Sequence, residues 1–157
     1  GGRDPNYDFG TNPCSEIILR PYQFCNLTEV VIRPDDTKDT LRDKVRVASV
    51  LGSIQSTFTN FPYLRKIWQK NTEDERLLGV SLTGILDCPL TAGQSEKASK
   101  ELPELLESLR DVARKTNKKM AKALKINESA AITCVKPSGT VSQLVDSASG
   151  IHARHSK

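Results

Sequence analysis

The sequence has no long apolar run: nothing in it approaches the roughly 18 consecutive apolar residues of a membrane-spanning helix. A helical span is thereby excluded. The first residues, Gly1 to Thr11, lack a basic region followed by an apolar stretch, so no secretory signal is legible, and an initiator Met is missing. With the abrupt end at His155-Ser156-Lys157, this leads to the expectation of a segment cut from a longer chain. No Cys-x-x-Cys pair occurs among Cys14, Cys25, Cys88 and Cys134, and His152 and His155 are the only histidines, which argues against structural zinc and offers no metal-ligand set. A chain with 27% charged residues and no signal is expected in the cytoplasm, where a persistent disulfide is uncommon and a catalytic one is not. Positive charge is in small excess, +4 overall, which suits polyphosphate ligands but makes no concentrated basic face. The basic stretch from Arg114 to Lys125 falls inside a helical pattern and reads as a solvated surface. Neither nucleic acid nor a membrane is expected as a partner. Internal repeats and low-complexity segments are also missing.

What is present is enough for a core. The 157 residues are 37% apolar, an ordinary balance for one folded unit. Residues 1–13 are rich in Gly, Pro, Asn and Asp and should be irregular. Glu16 to Leu19 reads as a short extended piece, Arg20 to Gln23 as a turn, and Phe24 to Ile32 as a buried strand. From Asp39 onward Leu41, Val45, Ala48, Leu51, Ile54 and Phe58 recur at helical steps and predict an amphipathic helix ended by Phe61-Pro62. Tyr63 to Arg76 reads as a second helix and Leu77 to Leu86 as a buried strand. Ser95 is a plausible N-cap for a helix reaching Leu124, with Leu102, Leu105, Leu109, Val112, Thr116, Met120 and Leu124 on one stripe and Pro103 as a kink or restart. Ala130 to Val135 completes the order strand, helix, strand, helix, strand. That order is the α/β pattern of a parallel sheet with crossover helices.

Three clusters carry chemistry. The first is Asn12-Pro13-Cys14-Ser15-Glu16. Pro13 biases Asn12 toward extended backbone, and in an extended chain Asn12, Cys14 and Glu16 project to one side, so an amide, a thiol and a carboxylate would face a common point. Such a set can hold a hydroxylated ligand, act on it through sulfur and move a proton. The alternative is a turn leading into a strand whose Cys is simply buried. The second is Cys25, which the turn at Pro21 could bring near Cys14, although a Cys on a buried strand is more often packing. Cys88 and Cys134 have no polar constellation beside them in sequence and read as core. The third is Lys136-Pro137-Ser138-Gly139-Thr140-Val141-Ser142, which follows a strand and opens a helix. Hydroxyls and free backbone N–H groups there make an anion site, with Gly139 permitting close backbone approach, and the spacing is not that of a Walker loop. A simple helix cap by Ser138 or Thr140 remains the other reading.

In this order, the clusters resemble the catalytic domain of the ribonucleotide reductases, and within them the adenosylcobalamin-dependent (class II) ribonucleoside-triphosphate reductases. Asn-Pro-Cys-Ser-Glu-Ile is similar to the finger loop and Phe-Cys-Asn-Leu-Thr-Glu-Val-Val to the strand with a second cysteine. Glu-Arg-Leu-Leu-Gly-Val-Ser-Leu-Thr-Gly-Ile resembles a later barrel segment, Val-Lys-Pro-Ser-Gly-Thr-Val-Ser the substrate-phosphate loop, and Ser-Gly-Ile-His-Ala-Arg-His-Ser the stretch after it. The short separation of Cys14 from Cys25 favours class II over the di-iron enzymes.

The resemblance implies an α/β fold that is part, the second half, of a ten-stranded α/β barrel. All of 1–157 would belong to one catalytic barrel domain, with the finger loop in 1–16 and the phosphate loop in 130–157. It also implies roles. Cys14 would become a thiyl radical and abstract the 3′ hydrogen of the ribose; Glu16 would take the 3′-hydroxyl proton and Asn12 would hydrogen-bond the ribose hydroxyls; Cys25, with a partner thiol outside this chain, would supply two electrons as a disulfide forms. Pro137, Ser138, Gly139 and Thr140 would receive the triphosphate. The implied cofactor is adenosylcobalamin, its contacts mostly outside the chain, and the implied partners are a ribonucleoside triphosphate, a thioredoxin-like reductant and the remainder of the same enzyme. A chain this short is expected to be inactive alone. The competing expectation is a nucleotide-binding or folding module with no catalysis.

Overall fold

In the computed structural model, residues 3–154 are described. His155 and Ser156 of the last motif, and the outermost residues of the 1–16 and 130–157 regions, lie outside them.

The architecture is built around two parallel strands, β3 (Asn26–Val31) and β4 (Leu78–Thr83), in register from Asn26 opposite Leu78 to Val31 opposite Thr83. A third extended segment runs along the other side of β4. Val80 forms a parallel bridge with Thr133, the Leu78 N–H donates to Ala131 O (2.9 Å), the Val80 N–H to Ile132 O (2.8 Å) and the Cys134 N–H to Val80 O (3.1 Å). β4 is thus central and covered on both faces, which accounts for its nearly unbroken apolar sequence. The predicted strand over 77–86 stops at Thr83 because Gly84 turns the chain with φ +73, and a 3-10 turn follows at Ile85–Asp87. A Cβ at Gly84 would lie 2.7 Å from Ile32 O, so glycine is required there. Of the strand predicted over 130–135, only the bridge at Thr133 is regular.

Helix α1 (Lys38–Gln55) makes the first crossover and α4 (Glu96–Leu124) the second, with α2 (Lys66–Glu75) and the single turn α3 (Pro89–Ala92) between them. Thr37 starts α1 with a capping box to Thr40, and Ser95 caps α4 by accepting the Ala98 N–H at 3.0 Å. Both helices bury a narrower and smaller-residue face than the sequence pattern predicts. In α1 the core takes Leu41, Val45 and Ala48 and then Ser49, Gly52 and Ser53, while Leu51, Ile54 and Phe58 are exposed, Phe58 by 73%. The physical reason is close approach: a side chain at Gly52 would collide with Leu78 Cδ2, and the buried serines satisfy their hydroxyls on carbonyls of the preceding turn, Ser49 on Val45 O and Ser53 on Ser49 O, each at 2.7 Å. In α4 the buried row is Leu105, Leu109, Ala113, Asn117 and Ala121, so the predicted stripe holds for its first leucines and then shifts by one position. Asn117 donates to Ser53 Oγ (3.1 Å) and Ser129 Oγ (2.9 Å) and accepts the Ser129 N–H (2.9 Å), joining the two helices and the segment that returns to the sheet. Pro103 does not restart α4, which runs unbroken through it, and it sits on the exposed side of the helix.

Residues predicted to be irregular contain a small hairpin. β1 (Gly10–Thr11) pairs antiparallel with β2 (Ile18–Leu19), so the extended piece at 16–19 pairs backward with residues 10–11 and not with β3. The base of this hairpin is fastened to the end of α2 by Glu75, which is 4% exposed. Its carboxylate accepts from Arg3 Nε (2.8 Å), Arg3 Nη2 (2.6 Å) and Gln23 Nε2 (2.7 Å), and Arg20 Nη2 lies at 3.2 Å. Arg20 stacks over Tyr7 at 3.9 Å and Arg3 over Phe9 at 4.4 Å. Burial pushes the Glu75 carboxyl up, but the hydrogen bonds from Arg3 and Gln23 and the charges of Arg3 and Arg20 outweigh it and hold the group below the usual glutamate range.

Glu75→Gln, which leaves two arginines without their shared counter-charge, should destabilise the chain by about 3 kcal/mol in urea denaturation. Because the folded-state pKa is depressed, the stability this group contributes is full above the ordinary glutamate value and is lost as pH falls through the lower folded value. Acid denaturation of the Gln variant should therefore begin from a lower plateau and lose less over that window.

Candidate functional site

The hairpin turn carries Asn12, Cys14 and Glu16, but not on one face of an extended strand. Ser15 adopts φ +60, and its N–H returns to Asn12 O at 2.9 Å, so residues 12–15 form a tight turn. This corrects the predicted extended arrangement: Pro13 restricts the residue before it, but the left-handed Ser15 reverses the chain one step later. Asn12 closes the turn, donating its N–H to Ile17 O (3.2 Å) and accepting the Ile17 N–H on Oδ1 (3.1 Å). Cys14 is therefore exposed at the tip, whereas Ile17 is buried against the sheet.

The Glu16 side chain is wholly shielded from solvent and meets Lys136, whose Nζ lies 3.0 Å from Oε1. The other oxygen, Oε2, is buried without a hydrogen-bond partner among the described residues. Burial raises the Glu16 carboxyl, but the Lys136 hydrogen bond, its own backbone amide, the Asn12 side chain and the Lys136 charge together hold it below the usual range. Lys136 is in turn fixed by its backbone N–H, which donates to Ser81 Oγ of β4 at 3.0 Å.

Cysteines surround this ion pair. Cys25, half-buried just before β3, has its thiol pushed up by burial and by the Glu16 charge. Cys134 is pushed up to about 11 by burial, then by Glu16 and Cys25. The Cys14 sulfur lies within electrostatic reach of Lys136. The reading of Cys134 as a core residue without polar company is thus overturned: it is half-buried beside Gly79, Ser81, Glu16 and Lys136, brought there by the return of the chain along β4. Cys88 is a core residue as expected, fully buried under α1 and α4. Nothing in the spacing announces the Lys136–Glu16 pair, because its members are far apart in sequence and only the strand order joins them.

Pro137, Ser138, Gly139 and Thr140 follow directly and lead into α5 (Thr140–Leu144), a single short turn of helix. Ser138 is 2% exposed, and its hydroxyl is buried without a partner among the described residues. Its carbonyl accepts from Ser142 Oγ (2.6 Å) and from Ser149 Oγ. Neither Ser138 nor Thr140 caps α5 through its side chain, and Thr140 is exposed, so the simple cap is not what is seen. An added Cβ at Gly139 would meet nothing within 4 Å, whereas one at Gly150 (φ +55) would press on Lys136 O at 3.0 Å. The loop is held from behind: the Gly150 N–H donates to Thr83 Oγ1 (2.8 Å), the Ala148 N–H to Asp87 Oδ2 (2.7 Å), and Arg154 grips both oxygens of Asp87 at 3.1 Å. The Arg154 hydrogen bonds are the first cause that holds Asp87 below its usual range.

Among the described residues no group of three His, Cys, Asp or Glu side chains is placed to hold a metal ion, and no helix is long and apolar enough to cross a membrane. Among the described residues the cavities are of modest size: about 450 Å³ between α4 and residues 133–135, lined mainly by Val80, Leu82, Leu106, Leu109 and Val135, about 370 Å³ beside the hairpin, and about 510 Å³ between β3 and α1. None of these cavities is lined by a set of metal-ligating side chains among the described residues, and Cys14 lies exposed at the hairpin tip.

No protein-family profile matches the chain. Among individual proteins, the adenosylcobalamin-dependent ribonucleoside-triphosphate reductase of Lactobacillus leichmannii is 30% identical over 163 residues, covering 91% of this chain and 22% of its own length. That of Lactobacillus acidophilus is 31% identical over 166 residues, and that of Euglena gracilis 30% over 146 residues. The chain thus spans about a fifth of the length of the curated relatives it matches. In three dimensions it is similar to a crystal structure of a B12-dependent (class II) ribonucleotide reductase, with a TM-score of 0.70, 26% identity, and coverage of 91% of this chain and 22% of that one. In sequence and in fold alike, over nine-tenths of its length, this chain matches a segment of the adenosylcobalamin-dependent ribonucleotide reductases.

Proposed function

We propose that this chain is the part of a class II ribonucleotide reductase barrel that carries the reacting thiol, its proton acceptor and the substrate-phosphate loop, and that it acts in deoxyribonucleotide synthesis only as part of the complete enzyme. The observation that carries the reading is the buried, unpartnered Glu16 Oε2 at the same hairpin turn as Cys14. A desolvated acceptor oxygen costs stability unless something uses it. A ribose hydroxyl is the chemistry that fits.

In this reading Cys14, as a thiyl radical, takes the 3′ hydrogen of the substrate. Glu16 Oε2 accepts the 3′-hydroxyl proton, which requires hydrogen-bond reach and an ionised acid. Asn12 offers its side-chain amide to the ribose hydroxyls as the 2′ oxygen leaves as water. Cys25, kept protonated by burial and by Glu16, delivers hydrogen and electron with a partner thiol outside this chain. Adenosylcobalamin, bound by residues beyond this chain, supplies the radical. Ser138, Gly139 and Thr140 receive the triphosphate of the ribonucleotide, with Pro137 setting the turn; the orphan Ser138 hydroxyl and the uncapped amides of Thr140 and Val141 support that assignment. A thioredoxin-like protein is the reductant in this scheme and the cytoplasm the compartment. The region 1–16 is the finger loop and 130–157 the phosphate-loop region of one barrel domain. The absence of catalysis in an independent binding module is not favoured, because it leaves the Glu16 carboxylate and the surrounding thiols without use.

Three outcomes are expected. The purified 157-residue chain, given adenosylcobalamin and a dithiol, should form no deoxynucleotide; detectable product would overturn the need for the remainder of the enzyme. In the complete reductase Thr140→Val should weaken substrate binding by about 1.5–3 kcal/mol, the worth of hydrogen bonds to a charged group. An unchanged affinity, measured by equilibrium dialysis, would remove Thr140 from the phosphate site.

The two sulfurs should separate by role. Cys14→Ser should abolish tritium release from 3′-labelled substrate, since a serine O–H is too strong to exchange for a thiyl. Cys25→Ser should retain that release but lose sustained product formation. Many turnovers by Cys25→Ser with an external dithiol would make Cys25 a packing residue.

A further inference from the structure

Lys136 belongs to neither the hairpin nor the phosphate-binding set, yet it touches both. Its ammonium meets Glu16 Oε1 at 3.0 Å, its backbone N–H is pinned to Ser81 Oγ at 3.0 Å, and the next residue begins the 137–140 loop. The carboxylate it holds is wholly shielded, while Lys136 itself keeps 27% of its side chain exposed. The pair is therefore asymmetric: the acid is fixed and desolvated, and the base reaches in from the solvent side.

We propose that Lys136 is a positioning residue for Glu16, occupying Oε1 so that Oε2 is the only oxygen left to accept a proton from substrate, and tying that acceptor to the strand that enters the phosphate loop. The inference rests on the reading of Glu16 as proton acceptor. A carboxylate in water presents both oxygens equally, and a rotation of χ3 exchanges them. Bonding one of them to an ammonium whose own backbone is bolted to β4 removes that freedom. The ion pair also settles the protonation state. Burial alone drives the acid toward its neutral form, which cannot accept a proton, and the ammonium reverses this. Among the described residues the titratable groups that act on Glu16 or feel its charge are Lys136, Cys25 before β3 and Cys134 beside β4. Burial and the Glu16 charge both raise the Cys25 and Cys134 thiols, so Lys136 is the group among them that supplies positive charge.

The test is a titration of the Glu16 side-chain carboxyl by carbon-13 NMR in the 157-residue chain, with Glu16→Gln assigning the resonance. Lys136→Met should move the midpoint upward, and Lys136→Arg should return it toward that of the parent. An unmoved midpoint in Lys136→Met overturns the proposal. If circular dichroism shows that Lys136→Met has lost its fold, Lys136→Gln, which keeps a donor without the charge, takes its place under the same criterion.

In the complete reductase, the acidic limb of 3′-tritium release should shift to higher pH in Lys136→Met and recover in Lys136→Arg. A raised KM with an unmoved limb would mean that Lys136 serves the substrate phosphates, and would also overturn the proposal. Parent-level tritium release by Glu16→Gln, by contrast, would overturn the underlying role of Glu16 while leaving the titration result intact.

Discussion

Everything at the candidate site hangs on a buried carboxylate some distance from it. Glu75 ends α2, and without partners its charge would be intolerable at 4% exposure. The partners it recruits are Arg3 from one side of the hairpin and Arg20 and Gln23 from the other, so the same electrostatic demand that keeps α2 intact also closes the hairpin base. β1 and β2 are two residues each, too short to hold themselves together by ladder bonds. Their position is borrowed from the helix. The guanidinium faces that remain free are covered by Tyr7 and Phe9, which makes the network a packed layer rather than a single bridge.

The candidate site sets desolvation against charge. Glu16, Cys25 and Cys134 are all pushed toward their neutral forms by burial, and the Glu16 charge pushes both thiols further the same way. Lys136 reverses the outcome for the carboxyl alone, because the ammonium is in direct contact with it and acts on the sulfurs only at longer range. A single cation thus sorts the neighbouring groups into an ionised acid and protonated thiols. That division suits a site in which the acid takes a proton and the sulfurs exchange hydrogen.

Much of this was legible in the sequence, and the gaps have physical causes. The parallel α/β order follows from apolar β4 residues and capped helices, because caps at Thr37 and Ser95 and the glycine at 84 act locally. The motifs Asn12-Pro13-Cys14-Ser15-Glu16 and Pro137-Ser138-Gly139-Thr140 were visible as residue sets. Their geometry was less so: the left-handed Ser15 depends on the hairpin closing around it, and no propensity of serine announces that. The helix faces were misjudged where Ser49, Gly52, Ser53 and Asn117 replace large apolar residues, since a face selected for closeness looks polar when only hydropathy is read. Lys136 reads in sequence only as the first residue of the phosphate-loop cluster and Cys134 only as core, because the neighbours that give them company at Glu16 arrive from the opposite end of the chain.

The two neighbours of β4 have a consequence for how the chain comes together. β3 and the segment at 131–134 each reach β4 only after a long helical crossover, so the sheet cannot zip from a local turn and must wait for distant pieces to meet. Helices α1 and α4, which need only their own turns, can form early and search for one another through the small residues at their interface. Lys136 reaches Glu16 only once the segment at 131–134 has docked beside β4, so the buried, ammonium-paired carboxylate is an end product of assembly. A half-built chain would carry its sulfurs and its carboxyl in water, with ordinary acidity and no division of labour among them.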